Sequence, residues 1–308
     1  MVGVGQADAF SAVAYAAKLT GEFDKAGVDV QFKVGGTTTF EQLELNGTTD
    51  VSIGSGVSAM AFTAQGRPTQ LVYQYTSGRI GGFVYGGPGI NSIQDCKNVV
   101  TGPANTSQYG FAVAYKRALN LSYNITPADP TVAAPGLSRG TYDCGIGNPS
   151  TYGTVVADGK AKVVVDAKTQ TYVPPPTVAG LHGLTTTLQQ KKDAVERFIK
   201  AYDATWKSTF NSGTFDSGAI ADILMKDADY AATPRAGLVN ALDNTKPFLY
   251  PDAGYFYPDN WPATLEFFQN DVGLPSIKAD DPKIAYDKMV DMSYYKDALG
   301  DPPAKTTP

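Results

Sequence analysis

Five short stretches place hydroxyl, amide or carboxyl side chains where an apolar run of strand length gives way to helical spacing: residues 6–11, 36–39, 55–58, 102–107 and 148–150. A helix that begins at such a point carries unpaired backbone N–H groups and a partial positive charge. Several helix starts aimed at one place can therefore hold an oxyanion with no arginine at all. The side chains that would add donors or acceptors are Asp8, Ser11, Thr37, Thr38, Ser55, Ser58, Asn105, Thr106, Ser107 and Asn148. Ser, Thr, Asn and Asp are also the ordinary N-caps, so each of these residues has a plain structural reading beside the chemical one. Recurrence of the pattern is what points to a site. Phe10, Tyr75, Tyr109 and Tyr152 lie in or next to the same stretches, and aromatic walls with a few placed polar groups describe many small-molecule sites.

Catalytic signatures are sparse. Histidine occurs once, at His182, inside a run that reads as a strand, which suits a structural side chain better than acid–base or metal chemistry. No phosphate-binding loop occurs, and Asp280-Asp281 before Pro282 reads as a solvated turn. Arg79 stands open to two readings, a partner for a carboxylate or sulfonate and an ordinary solvated arginine. The expectation is a protein that is not an enzyme and that uses no cofactor and no metal.

Composition narrows the partners. With 25 basic against 30 acidic residues, a net charge of -5 and no Lys/Arg cluster, nucleic acid is not expected. No apolar run approaches the roughly 20 residues that cross a bilayer. Residues 2–5 already read as a strand, so a secretion signal or lipid anchor is expected in a removed N-terminal segment. Cys96 and Cys144 are the only cysteines and permit either a disulfide or two buried thiols.

The elements that position these residues alternate between strand and helix. Strands are expected at residues 2–5, 28–34, 51–53 and 71–75, with helices over 9–23, from Thr38 and Glu41 as a capping box, and near 58–65. A strand at 82–85 then restarts the cycle, followed by a strand at 99–101, a helix over 107–119, and strands at 163–165 and 178–185. A long amphipathic helix over 189–209 leads into an aromatic-rich helical remainder and a frayed tail. One pattern occurs twice, Gly47-Thr-Thr-Asp50-Val-Ser-Ile53-Gly54 and Gly140-Thr-Tyr-Asp143-Cys-Gly-Ile146-Gly147, each copy followed by a turn and a helix-forming segment. Alternation of this kind builds a mainly parallel sheet, and its repetition implies two matching halves with a ligand between them.

Several segments resemble the solute-binding proteins of ABC importers, in the branch of the nitrate, sulfonate, taurine and thiamin-precursor binders. They are residues 16–30, Ala-Ala-Lys-Leu-Thr-Gly-Glu-Phe-Asp-Lys-Ala-Gly-Val-Asp-Val, then Asn46-Gly-Thr-Thr-Asp50, Gly140-Thr-Tyr-Asp143 and Ile93-Gln-Asp-Cys-Lys-Asn-Val-Val100. The resemblance implies an α/β two-lobe periplasmic-binding-protein fold of type II, each lobe a mainly parallel sheet flanked by helices, closing by a hinge on a cleft. It implies a division into residues 1–78 (lobe one, first part), 79–184 (lobe two) and 185–308 (lobe one, second part). The crossings would lie at residues 75–79 and about Thr185. In that fold the strands beside Cys96 and Cys144 are neighbours, which implies a disulfide closing a loop of about 47 residues and worth about 4 kcal/mol in the chain-entropy model. Implied further are a periplasmic or extracellular monomer, possible lipid anchoring, an ABC permease as partner, and a small organic anion such as a sulfonate or aromatic carboxylate as ligand. A thiamin-precursor pyrimidine, or an enzyme or sensor on the same scaffold, is the alternative. The related pyrimidine-synthesis enzymes use a cysteine-rich motif and histidines that have no counterpart in this sequence.

Overall fold

The computed structural model describes residues 1–36, 40–104, 106–173, 179–211 and 213–305. The chain opens with β1 (Val2–Val4), α1 (Ala12–Leu19), α2 (Glu22–Lys25), β2 (Phe32–Val34), α3 (Phe40–Leu45), β3 (Val51–Ser55), α4 (Gly56–Ala64) and β4 (Thr69–Thr76). A second series follows: β5 (Phe83–Gly86), β6 (Asn98–Thr101), α5 (Ser107–Ala118), β7 (Asn124–Pro127), α6 (Pro130–Ser138), β8 (Cys144–Gly147), α7 (Pro149–Ala157) and β9 (Lys162–Val165). The remainder holds β10 (Ala179–Leu184), α8 (Thr185–Gln190), α9 (Lys192–Thr205), α10 (Ser217–Leu224), α11 (Arg235–Thr245), α12 (Trp261–Phe267), α13 (Tyr286–Met289) and α14 (Ser293–Leu299).

The strands form two five-stranded sheets of matching order, β2-β1-β3-β10-β4 and β7-β6-β8-β5-β9. In each sheet a single strand runs against the other four, β10 in the first and β5 in the second. Both are the strand by which the chain arrives from the other sheet, and both occupy the same place in the order. The two-lobe α/β architecture read from the alternation of elements is therefore present, with mainly parallel sheets flanked by helices.

Some boundaries differ from the sequence reading. The helix expected over 9–23 is two helices, because Gly21 turns left-handed at φ 76° between α1 and α2. Strand β7 and helix α6 were not anticipated; β7 is short and ends on Pro127, and α6 carries Pro135 in its interior. Strand β10 pairs with β3 and β4 of the first sheet, so the second crossing falls between β9 and β10 rather than at Thr185. At position 180 of β10 only glycine fits. A Cβ on Gly180 would lie 2.7 Å from the Tyr73 carbonyl oxygen.

The C-terminal segment, expected to complete lobe one, packs on both lobes. Helices α9 and α10 lie on α1, and α14 lies on α9 and β4. Helix α11 instead packs on α7, and the π-helical turn Phe268–Val272 packs on α5. The α7–α11 crossing is close because it is glycine on glycine: a Cβ on Gly153 would come within 2.8 Å of the Gly237 carbonyl oxygen. Phe111 and Phe267 meet with ring centroids 5.2 Å apart, and Arg117 forks onto Asp271 at 2.8 and 3.0 Å. The segment also joins the first crossing, where the Ser77 amide donates to the Phe248 carbonyl and the Tyr250 amide to the Tyr75 carbonyl, each at 2.8 Å.

Cys96 and Cys144 form a disulfide with their Cα atoms 5.8 Å apart. It ties the approach to β6 to the start of its parallel neighbour β8.

Candidate functional site

The carboxyl ends of β1 and β3 in one sheet face those of β6 and β8 in the other across a cleft of ≈ 200 Å³. From the β1–α1 loop come Gln6, Asp8, Phe10 and Ser11. The Asp8 carboxylate accepts the Phe10 amide at 2.9 Å, the Ser11 amide at 3.3 Å and the Gln6 side-chain amide at 3.0 Å. It thus occupies the start of α1 as a built-in anion. Burial pushes its carboxyl up, against the pull of those hydrogen bonds.

Beyond β3, Ser55 caps α4 by accepting the Val57 amide at 3.3 Å, and Ser58 donates to Glu41 Oε2 at 2.6 Å. Glu41 reaches the cleft from α3, and it is 8% exposed. Burial raises its carboxyl above the usual range, opposed by the His182 imidazole and the Ser58 bond.

In the second sheet, Thr106 caps α5, accepting the Tyr109 amide at 3.4 Å and donating to the Pro103 carbonyl at 2.7 Å. Asn148 caps α7 and accepts both the amide and the hydroxyl of Thr151, at 2.9 and 3.2 Å. Tyr152 is buried with its ring 4.7 Å from that of Tyr85 and its hydroxyl on the Val100 carbonyl. The floor comes from the crossings, where Tyr75 donates to the Gly54 carbonyl at 3.4 Å beside Thr76, Ile80 and Ala179. At the rim the two halves touch: the Ala9 amide donates to Ser150 Oγ at 3.3 Å.

Of the residues singled out from sequence, the structure brings Asp8, Phe10, Ser11, Ser55, Ser58, Tyr75, Thr106, Ser107, Asn148 and Tyr152 to this one cleft. Thr37, Thr38 and Asn105 lie outside the described residues. Tyr109 does not line the cleft; it sits one position beyond Gln108, about 100° further round α5, and Gln108 takes the wall instead. Arg79 also points elsewhere, donating to the Lys168 carbonyl at 3.4 Å and so linking the two crossings. Glu41, Gln108 and Thr151 were missed as lining residues. The last two lie within the first turn of helices whose starts carried the signal, and Glu41 fits a capping box with Thr38.

His182 is wholly buried in β10, outside the cleft lining, with Nδ1 3.0 Å from Glu44 Oε2. Burial works to lower its pKa, but the Glu44 and Glu41 carboxylates outweigh it and raise the imidazole above its ordinary value.

This arrangement of facing strand ends can be compared with known proteins. Residues 10–212 match the family described as NMT1/THI5 like, more than half of the chain. The chain belongs to that family. Among solved structures it is similar to the ligand-binding component of an ABC-type import system from Staphylococcus aureus, solved with zinc bound, with TM-score 0.70 and 15% identity over 97% of this chain and 98% of that one. It is also similar to the periplasmic nitrate-binding protein NrtA from Synechocystis, with TM-score 0.72 and 12% identity over 96% and 87% of the two chains. A third is a sulfonate-binding protein, SsuA, from Methylobacillus flagellatus, with TM-score 0.67 and 16% identity over 99% and 97%. At these identities the likeness is one of fold, and the fold is that of the periplasmic binding proteins. No curated protein sequence matches the chain.

Proposed function

We propose that this family member is an extracytoplasmic solute-binding protein. It captures a small organic acid in the cleft between its lobes and, as a monomer, delivers it to the membrane permease of an ABC importer. The observation that carries this reading is the meeting of four strand-to-helix loops, two from each sheet, around one cavity with buried aromatic side chains. The cavity is of a size for a small molecule and lies where open α/β sheets bind ligands. The helix starts at Thr106 and Asn148 offer backbone N–H groups to a carboxylate or sulfonate end. A transport role also accords with the folds it resembles and with a disulfide, which persists in oxidising compartments. No helix among the described residues is long and apolar enough to cross a membrane. We place lobe one at residues 1–76 with β10 and α8 to α10, and lobe two at 83–165 with α11 docked on it.

The test is a thermal-shift screen of sulfonates, aromatic carboxylates and nitrate, followed by mass spectrometry of the compound recovered from the protein. Capture predicts that one class raises the melting temperature and is recovered unchanged. Turnover of the bound compound would replace the transport reading with an enzymatic one.

A further inference from the structure

The two lobes do not offer a ligand the same chemistry. In lobe two the helix starts at Thr106 and Asn148 are capped by neutral side chains alone. In lobe one both helix starts already have a carboxyl group of the protein beside them, Asp8 at α1 and Glu41 at α4. None of the described residues lining the cleft is lysine, arginine or histidine, and residues 37–39, 105, 174–178, 212 and 306–308 contain none either. The cleft thus holds two carboxyl groups and no basic side chain.

Asp8 accepts three hydrogen bonds from its own loop. Glu41 is served differently. Helix α3 places Glu41 and Glu44 one turn apart on the same face, and Glu44 takes the nearest cation, His182. Among the described residues Glu41 has the Ser58 hydroxyl as its side-chain donor, with the Ser55 backbone beside it, and no described lysine or arginine pairs with it. A carboxylate with so little solvent, sharing one imidazole with Glu44, is costly unless something supplies further hydrogen bonds and positive charge. The open side of Glu41 is the cavity.

We infer that the captured solute carries an amino, amidino or ring N–H group that donates to Glu41, opposite an acceptor end held by the lobe-two helix starts. Glu41 is then the residue that selects for the donor, with Asp8 reinforcing the negative field on that side. The inference rests on the solute-capture reading and narrows it from organic acids in general to those bearing an N–H donor at the far end. It also gives the absence of basic residues a purpose, since a lysine or arginine in the lining would neutralise Glu41 and compete with the ligand.

The test titrates the whole chain with matched pairs that differ in the donor alone: 6-aminohexanoate against hexanoate, 3-aminopropanesulfonate against propanesulfonate, and 4-aminobenzoate against benzoate. In the best-fitting pair the amino member binds at least about tenfold tighter, as a hydrogen bond to a buried charge requires. Glu41→Gln, which keeps the shape of the side chain, removes that advantage and leaves the donor-free member as tight or tighter. Equal affinity of both members for the native protein overturns the inference while leaving solute capture intact, and this comparison needs no variant to fold. An equal loss for both members in Glu41→Gln also overturns it, because Glu41 would then shape the site without reading the donor. Silence of the whole panel, with nitrate and simple sulfonates included, counts against capture itself and against the inference with it.

Discussion

The two lobes share one eight-residue pattern and build different things on it. In each copy the opening glycine turns left-handed, at φ 77° for Gly47 and 75° for Gly140. The aspartate then ties its strand to the parallel neighbour. Asp50 donates its amide to the Met1 carbonyl and accepts from the Met1 nitrogen, at 2.9 and 2.7 Å. Asp143 does the same with Asn98, at 2.9 and 2.8 Å. The shared residues are thus the ones that close the backbone. Where the copies differ, the lobes differ: Val51 against Cys144, Ser52 against Gly145, and, one turn into the next helix, Ala59 against Tyr152. Lobe one is pinned beneath its sheet by the buried Glu44–His182 pair, and lobe two by a disulfide. Duplicated geometry has left each lobe free to choose its own anchor and its own ligand chemistry.

Breaking the two anchors should give the largest effects and set them apart by pH. Removing His182 leaves Glu44 buried without a partner, and the loss of one member of a buried pair costs about 3–5 kcal/mol. Because the folded-state pKa of His182 is raised, its contribution is fully present below the unfolded value of about 6.5 and fades as pH rises through the folded value. His182→Gln should therefore lose most stability in urea unfolding at pH 5.5, with the gap to the native protein narrowing at alkaline pH. A loss of equal size at both ends of the range would show that the pair contributes by packing alone. Cys96→Ser combined with Cys144→Ser should cost up to about 4 kcal/mol for a bridge spanning 48 residues, with little pH dependence between 5.5 and 8.5. If ligand affinity fell along with stability in that variant, the bridge would be shaping the cleft as well as holding the sheet.

The sequence makes some of this comparison legible and hides the rest for physical reasons. The fold is visible because strand and helix alternate with clear periods and because the repeated pattern marks equivalent strand ends. Stretches such as 55–58 and 148–150 announce themselves since an N-cap is a local requirement, met within a few residues. Glu41 gives no such sign. Its place in the cleft depends on α3 passing beside α4, and the same residue type three positions after Thr38 fits a local capping role equally well. The docking of α11 on α7 is equally silent, because it depends on Gly153 meeting Gly237, and a glycine in a helix carries no mark of what it approaches. Tyr109 shows the remaining limit: a helix start can be placed from sequence, but one residue of rotation decides which side chain faces the ligand.

Exchanging the differing residues tests whether each lobe's packing is a matched set. Gly145 leaves room for the Tyr152 ring, since a Cβ there would lie 2.6 Å from two ring carbons. Gly145→Ser, which installs the lobe-one residue, should cost about 1–3 kcal/mol through overpacking. Adding Tyr152→Ala, the other lobe-one residue, relieves the clash. The double variant should be more stable than the sum of the two single losses predicts, which a double-mutant cycle would read as a favourable coupling. Strict additivity would mean that the ring moves aside at no cost and that the two substitutions are not matched.

The smallest effects should come from the caps, and they bear on how the lobes use their helix starts. Asn148 accepts two bonds from Thr151, whereas Ser55 accepts a single longer one from Val57. Capping alone predicts a loss of about 1 kcal/mol for Asn148→Ala and about 0.5 kcal/mol for Ser55→Ala. The Ser55 backbone also contributes a hydrogen bond to Glu41, and that bond survives the loss of the hydroxyl. Thermal unfolding of the two variants should therefore rank Asn148→Ala as the more damaging. The reverse order would mean that the Ser55 hydroxyl holds the Glu41 side of the cleft in place, so that in lobe one the cap and the ligand-reading carboxyl act as one unit.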